Sequence, residues 1–302
     1  MSNITDVPNA QFNEDGPYGY LPNFALCTTY IVLFGLTSFI HTVEAIWTRK
    51  WFFLYTALLC GLLETLGWSA RLWSNINLGN DQSFTIQIST LIIGPTFLLA
   101  SIFIVFGDLV KILGTQYSRL GPNLYARIFF SCDIVSLVLQ GVGGGIASSA
   151  TDETHRDVDQ LNLGTDIILV GIGLQIAIIL VFGLLAAEFL YRYKTDKPLR
   201  GRTSARGVLD GRRQLVLCAV ILSTGCLFAR GIYRMIELSG GWDGPVMRIE
   251  WLFGFLDSGA TCASMFIWNV FHPGWLLFPD SDVDLNEKRL RQQTSSEEAS
   301  QA

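Results

Sequence analysis

Residues 230–272 read RGIYRMIELSGGWDGPVMRIEWLFGFLDSGATCASMFIWNVFH, and most of this stretch is apolar enough to lie in lipid. It nevertheless carries Arg230, Arg234, Glu237, Glu250 and Asp257, and it closes on Asn269 and His272. A charge near the bilayer centre costs about 2.5–3.5 kcal/mol on insertion scales, so such groups face one another or a polar cavity. Arg230 and Arg234 are four residues apart and Glu237 lies three further on, which puts all three on one helical face. Glu250 and Asp257 share a face of the next helix. The stretch therefore predicts two neighbouring spans joined through a buried ionic network.

The rest of the chain extends the same pattern. Of 302 residues, 50% are hydrophobic and only 16% charged, with a mean hydropathy of +0.38. Soluble domains carry about 25% charged residues. A spanning helix needs about 20 mainly apolar residues, and windows of that kind fall at roughly 24–46, 52–73, 86–107, 124–147, 165–190, 214–236 and 250–271. The expected fold is all-α, a polytopic seven-transmembrane-helix bundle over residues 23–278. A polar N-terminal segment, 1–22, precedes it and a polar, disordered tail, 279–302, follows. The first 22 residues lack a basic region, so a cleaved signal peptide is not expected.

Lys and Arg set the expected orientation. They gather on one side: Arg49 and Lys50; Lys111, Arg119 and Arg127; eight between Arg192 and Arg213; and Lys288, Arg289 and Arg291 in the tail. The other side has Arg156 and Arg248, with Arg71 at the end of a span. The N-terminus is thus expected outside and the C-terminus in the cytoplasm. Asn3-Ile4-Thr5 falls on the outer side and makes Asn3 the candidate glycosylation site. The cytoplasmic 192–213 loop suits the anionic headgroups of that leaflet. The eight tryptophans fall near span ends, as in an interfacial aromatic belt. All six cysteines fall inside spans and read as packing residues.

Further polar residues lie within the other spans. Glu64 and Arg71 are seven apart on the second. Asp133, Ser136, Gln140 and Gly144 line one face of the fourth, beside a run of glycines that permits close helix approach. Gln175 sits in the middle of the fifth. Gly94-Pro95 should kink the third. No basic residue is placed at the depth of Asp133, so its carboxyl is expected to be either a neutral hydrogen-bonding group or a receptor for a ligand amine. His41 and His272 with Asp108 or Glu188 form a poor metal set, since a third histidine falls only at His155 on the opposite side. No metal and no cofactor are expected.

Several classes are excluded. There is no G-x-x-x-x-G-K-[S/T] phosphate loop. All five lysines lie outside the spans, which removes a retinal Schiff base. Span 3 ends FGDLVK rather than in an acid-Arg-aromatic triplet, and serine nucleophile elbows are absent. No catalytic residue and no nucleic-acid partner are expected.

The residues also resemble a known family. Tyr18-Gly19-Tyr20-x-Pro22, Glu64-x-x-Gly67 with Arg71, Pro95, and Asp133-x-x-Ser136-x-x-x-Gln140 before Gly143-Gly144-Gly145 occur in this order. Gly171-x-Gly173-Leu174-Gln175, Arg230-x-x-x-Arg234-x-x-Glu237, Glu250 with Asp257, and Asn269-x-x-His272-Pro273 follow. Over about residues 16–278 the chain resembles the fungal RTA-like lipid-translocating exporters. Span 3 departs, with Phe103 and Gly107-Asp108 where relatives commonly carry a Tyr and a Gly-Arg pair. The resemblance implies export or flipping of amphiphiles such as sphingoid long-chain bases and sterol-like amines, and resistance to toxic ones. The expected partners are membrane lipids or amphiphilic small molecules, moved without nucleotide hydrolysis. The alternative is a seven-helix sensor of lipid asymmetry that binds its ligand without moving it. The plasma membrane is the expected location, with the vacuolar and endoplasmic reticulum membranes as alternatives.

Overall fold

The computed structural model describes residues 20–77, 81–149, 151–152, 155–156, 158–199, 206–241 and 244–277. Asn3, the 279–302 tail and the middle of the basic loop lie outside the described residues.

Among the described residues the helices follow in order: α1 (Phe24–Thr48), α2 (Phe52–Tyr55), α3 (Ala57–Ile76), α4 (Asp81–Leu113), α5 (Pro122–Ser149), α6 (Val158–Lys194), α7 (Gly211–Ser239), α8 (Glu250–Phe253), α9 (Ala260–Val270) and α10 (Pro273–Leu276). A π-helical turn, Gly254–Gly259, links α8 to α9. A two-residue antiparallel pair, Thr151–Asp152 with His155–Arg156, lies between α5 and α6. Among the described residues, α1, α2 with α3, α4, α5, α6 and α7 are long and apolar enough to cross a membrane. The continuous run α8–π turn–α9 makes the seventh span, so the chain is an integral, multi-pass bundle. In lipid, helices satisfy their backbone groups internally, which is why the apolar windows become helices.

The helices outlast the windows that predict them. The 37 residues of α6 extend roughly 56 Å at 1.5 Å per residue, against a hydrocarbon core about 30 Å thick. Its first turns take in 158–164, ahead of the 165–190 window. Asn23 caps α1, its side-chain oxygen accepting from the N–H groups of Ala25 at 2.9 Å and Leu26 at 3.2 Å.

Neighbours pack in the ring α1–α3–α4–α5–α6–α7–α9–α1, and α4 crosses the interior to touch α7. One end of the bundle carries Tyr20 and Glu250, the other the basic loop. Toward the basic-loop end the core is aromatic. Phe103 and Phe106 of α4 meet Phe182 of α6 edge-on at 4.8 and 5.3 Å, and Phe106 meets Tyr125 of α5 at 5.0 Å. Leucine and valine side chains such as Leu62, Val135, Val170 and Leu184 point outward, while Glu64, Asp133 and Asp257 are fully buried. This inversion suits a molecule solvated by hydrocarbon.

The α5–α6 seam shows what the small residues do. A Cβ on Gly143 would lie 2.6 Å from the Gly164 carbonyl oxygen, and one on Gly164 would lie 2.6 Å from the Ala147 nitrogen. Gly141, Gly144 and Gly145 have nothing within 4 Å of such an atom. One glycine of the run thus makes the close crossing, against Gly164 and Ile168 of α6, while Gly171 of α6 makes another against Ser136 and Gln140.

Two expectations are corrected. Trp68 and Trp268 are fully buried rather than interfacial. The Trp68 indole donates to Ser258 Oγ at 2.9 Å and stacks on Tyr30 at 4.6 Å, so its polar atom is satisfied inside the bundle. Cys27, Cys60 and Cys262 are packing residues, but Cys132 and Cys218 are exposed on the outer surface of the bundle.

Candidate functional site

From its middle onward, α7 carries a face that recurs every three to four residues: Ser223, Leu227, Arg230, Arg234 and Glu237 are all buried. That face looks across the bundle at α3, α4 and the π turn. Arg230 Nε lies 3.0 Å from Asp257 Oδ1, and Arg234 Nε lies 3.8 Å from the same oxygen. Arg234 Nη1 donates to Glu237 Oε2 at 2.6 Å, and Tyr233 donates to Glu237 Oε1 at 3.0 Å. Glu64 enters from α3 and stands within electrostatic reach of Asp257, Arg230 and Arg234. Five of the charged residues singled out in the sequence therefore meet.

Two features of the backbone, a proline inside α4 and the π turn, meet them. Pro95 has no N–H, so the helix offers nothing to the carbonyl of Leu91, four residues earlier. Arg230 Nη2 donates to that carbonyl at 2.7 Å. The π turn carries Asp257 inward, and Tyr30 donates to the Gly254 carbonyl at its start at 2.7 Å. Such turns occur frequently at functional sites.

A second network borders the first at the Tyr20 end. Arg71 Nη2 lies 3.1 Å from Glu250 Oε1 and donates to the Tyr20 hydroxyl, while Nη1 donates to Gln87 at 3.3 Å. The guanidinium sits over the rings of Phe253 at 5.0 Å and Trp68 at 5.7 Å. Glu250 also accepts from the Asn23 N–H at 2.9 Å, which ties the start of α1 to α8. Burial raises the Tyr20 hydroxyl above the ordinary phenol range, and Arg71 beside it acts in the opposite sense. Glu250 and Asp257, expected on one face, join different networks, because the wider π turn changes their relative direction. A cavity of about 40 Å³ opens between the networks, lined by Tyr20, Arg71, Gln87, Ile92, Arg234, Glu237 and Phe253 among others. That is room for a few waters.

Asp133 lies across α4 from Glu64. Its carboxyl faces Thr96 of α4 and Gln175 of α6 and is within electrostatic reach of Arg230. Thr96 and Gln175 are neutral, so the carboxyl has no ion pair. A basic residue is thus near Asp133 after all, supplied by α7 rather than by its own neighbours in sequence. Gln140 is engaged at the α5–α6 seam, where it donates to Ser136 Oγ at 3.1 Å while Ser136 donates to the Gly171 carbonyl.

Asn269 and His272 do not join the network. Asn269 donates to Thr37, and His272 Nδ1 accepts from the Gly274 N–H at 3.1 Å, capping α10 at the basic-loop end. The Phe53 ring lies near both imidazoles, 5.9 Å from His41 and 4.7 Å from His272. Asp108 and Glu188 are engaged elsewhere: Asp108 with Lys111 at 2.8 Å, and Glu188 with Arg119 at 2.6 Å and Arg192 at 2.8 Å.

The sequence reading missed Tyr20 as a partner of Arg71, along with Gln87, Tyr233, Thr96 and the Leu91 carbonyl. Pro95 held the signal for the last, since a proline inside a helix always frees the carbonyl four residues back. Tyr233 lies four residues before Glu237, a helical neighbour whose hydroxyl is uncharged and so gives no signal in the charge pattern.

Fold and site together define a multi-pass membrane protein with an ionic interior at mid-bundle. Residues 57–280 match the family described as RTA1 like protein, and the chain belongs to that family. It is 30% identical to the sphingoid long-chain base transporter RSB1 of Saccharomyces cerevisiae, over 88% of this chain and 76% of the relative. It is 27% identical to the probable lipid transporter atnI of Emericella nidulans, over 87% and 69% of the two chains. It is 26% identical to protein RTA1 of Saccharomyces cerevisiae, over 65% and 57%. No solved structure matches it.

Proposed function

We propose that this protein moves amphiphilic lipids carrying a cationic headgroup, with long-chain amines as the leading class, between the two faces of its membrane. The headgroup passes the polar interior bounded by α3, α4, α5, α7 and the π turn, while the tail stays in lipid. The observation that carries this reading is Glu64: a fully buried carboxyl with no hydrogen bond on either oxygen, set among Asp257, Arg230 and Arg234. Buried charges are ordinarily paired, and an orphan of this kind is where an ammonium group is best received. Asp133, fully buried with only neutral Thr96 and Gln175 beside it, offers a second carboxyl on the other side of α4. Arg230, Arg234, Asp257 and Glu237 hold the walls, and Arg71 with Glu250 orders the Tyr20 end.

The relatives' names support lipid transport in general, and a long-chain base is the amine that one of those names suggests. The charge asymmetry supports an outside N-terminus and a cytoplasmic basic loop. The deciding experiment reconstitutes the purified chain in vesicles and follows a panel of labelled lipids between leaflets. Long-chain amines are expected to cross faster than in protein-free vesicles and faster than neutral or anionic lipids. Tight binding of the amine with no movement would replace transport by sensing.

A further inference from the structure

Among the described residues, two fully buried carboxyls, Glu64 and Asp133, have no ion pair; Glu64 has no hydrogen bond either, Asp133 has only the neutral Thr96 and Gln175 beside it, and the two flank Pro95 of α4. Glu64 of α3 packs against Gly94, where an added Cβ would lie 3.4 Å from its Cγ and Oε1. Asp133 of α5 faces Thr96. Gly94 and Thr96 are the residues on either side of Pro95.

Everything charged or titratable that faces them is identifiable. Around Glu64 are Asp257 of the π turn, Arg230 and Arg234 of α7, Cys60 on its own helix, Cys262 of α9 and Tyr30 of α1. Around Asp133 are Thr96, Gln175 and Arg230. Arg230 is the charged group common to both, and it is committed to Asp257 and to the Leu91 carbonyl. Arg234 is committed to Glu237 and Asp257. The two arginines are thus matched by two bonded acids, and Glu64 and Asp133 are in excess. An isolated buried carboxylate neutralises itself by binding a proton.

We infer that Glu64 and Asp133 are exchangeable proton sites on the two sides of α4 at Pro95, and that cargo moves through this protein against a counterflow of protons. The inference rests on the transport reading above and supplies its driving force. A cationic headgroup arriving from one face displaces the proton of a carboxyl to that face. After the headgroup leaves toward the opposite face, the carboxylate takes a proton from there. One monocation crosses one way and one proton the other, with no net charge moved.

The test uses the full chain in phosphatidylcholine vesicles with a pH dye in the lumen. The probe is N,N,N-trimethylsphingosine, whose fixed charge prevents it from carrying protons by passive flipping. Added outside, it is expected to reach the inner leaflet with a rise in lumenal pH. A one-unit pH gradient, acid inside, should shift its steady-state leaflet ratio about tenfold toward the lumen, as one exchanged proton per lipid requires. Reversing the gradient should reverse the shift. E64Q and D133N, which replace each carboxyl by a neutral group of similar shape, should each abolish the response to the gradient, and E64D should keep it. Lipid movement indifferent to gradients of either sign, or an unchanged response in both E64Q and D133N, would overturn the inference while leaving transport intact. So would movement of a labelled long-chain base but not of its trimethyl form, since exchange at an unbonded carboxylate needs only the charge. Movement of neither lipid would overturn the transport reading itself.

Discussion

Arg230 donates to the carbonyl of Leu91, the acceptor that Pro95 leaves without an N–H four residues on. A backbone acceptor left open on α4 and a charged residue on α7 thus satisfy each other. The same guanidinium holds Asp257 at 3.0 Å, so three elements meet at one side chain.

Removing it should therefore have two consequences. Arg230→Leu strands a buried carboxylate and a buried carbonyl, and it should destabilise the folded protein by about 3–5 kcal/mol. Pro95→Ala restores an N–H for Leu91 and should recover about 1 kcal/mol of that loss in the double variant. Thermal unfolding of the four proteins in detergent gives the coupling. Strict additivity would show that the carbonyl contact contributes nothing.

The glycine run on α5 gives a paired prediction. Gly143→Ala puts a methyl 2.6 Å from the Gly164 carbonyl oxygen and 2.8 Å from the Ile168 nitrogen, both backbone atoms that cannot rotate away. It should destabilise by about 1–3 kcal/mol. Gly144→Ala meets nothing within 4 Å and should gain up to about 1 kcal/mol of helix propensity. Melting temperatures that move in the same direction for both would contradict this assignment of the seam.

Trp68 and Trp251 should behave differently on replacement by phenylalanine. Trp68→Phe keeps the stacking on Tyr30 but loses the bond to Ser258, a loss of about 1 kcal/mol. Ser258→Ala in the same protein should then add little. Trp251 is 69% exposed, and Trp251→Phe should leave detergent stability unchanged. A large effect at Trp251 would place it in a contact that the fold does not show.

The Arg71 site tests geometry rather than charge. Arg71→Lys keeps the cation beside Glu250 but gives up the fork that reaches Tyr20 and Gln87 at once. It should cost about 1–3 kcal/mol. Tyr20→Phe should cost about 1 kcal/mol in the parent and nothing further when combined with Arg71→Lys. A Tyr20→Phe effect that persists undiminished in the double variant would separate the two residues.

At the basic-loop end, Gly207 is seated on α4. Its N–H donates to the Leu113 carbonyl at 3.1 Å, and Tyr193 donates to the Gly207 carbonyl at 2.8 Å. A Cβ there would lie 1.9 Å from the Ile112 carbonyl oxygen. Gly207→Ala should release this part of the loop, seen as faster proteolysis around residues 206–210 with the bundle intact. An unchanged cleavage rate would mean that the loop shifts without undocking.

Reading along the chain is enough to place the spans and to show that charged residues lie within them. Both follow from transfer energies summed along short windows, which need no knowledge of neighbours. The i,i+4 relation of Arg230 to Arg234 and the i,i+3 step to Glu237 were likewise legible, since a regular helix fixes them. Where regularity fails, the sequence fell silent. The π turn separates Glu250 from Asp257, an irregularity that no spacing rule anticipates. Arg230 as the bridge between Leu91 and Asp257, Asp133 within its reach, and Trp68 inside rather than at the interface each depend on which helix faces which. Asn269 and His272 parted from the other polar residues for the same reason. Window hydrophobicity decides that a segment crosses the membrane. Which of its sides meets a partner is decided by close packing among seven helices at once, and only the tertiary structure holds that information.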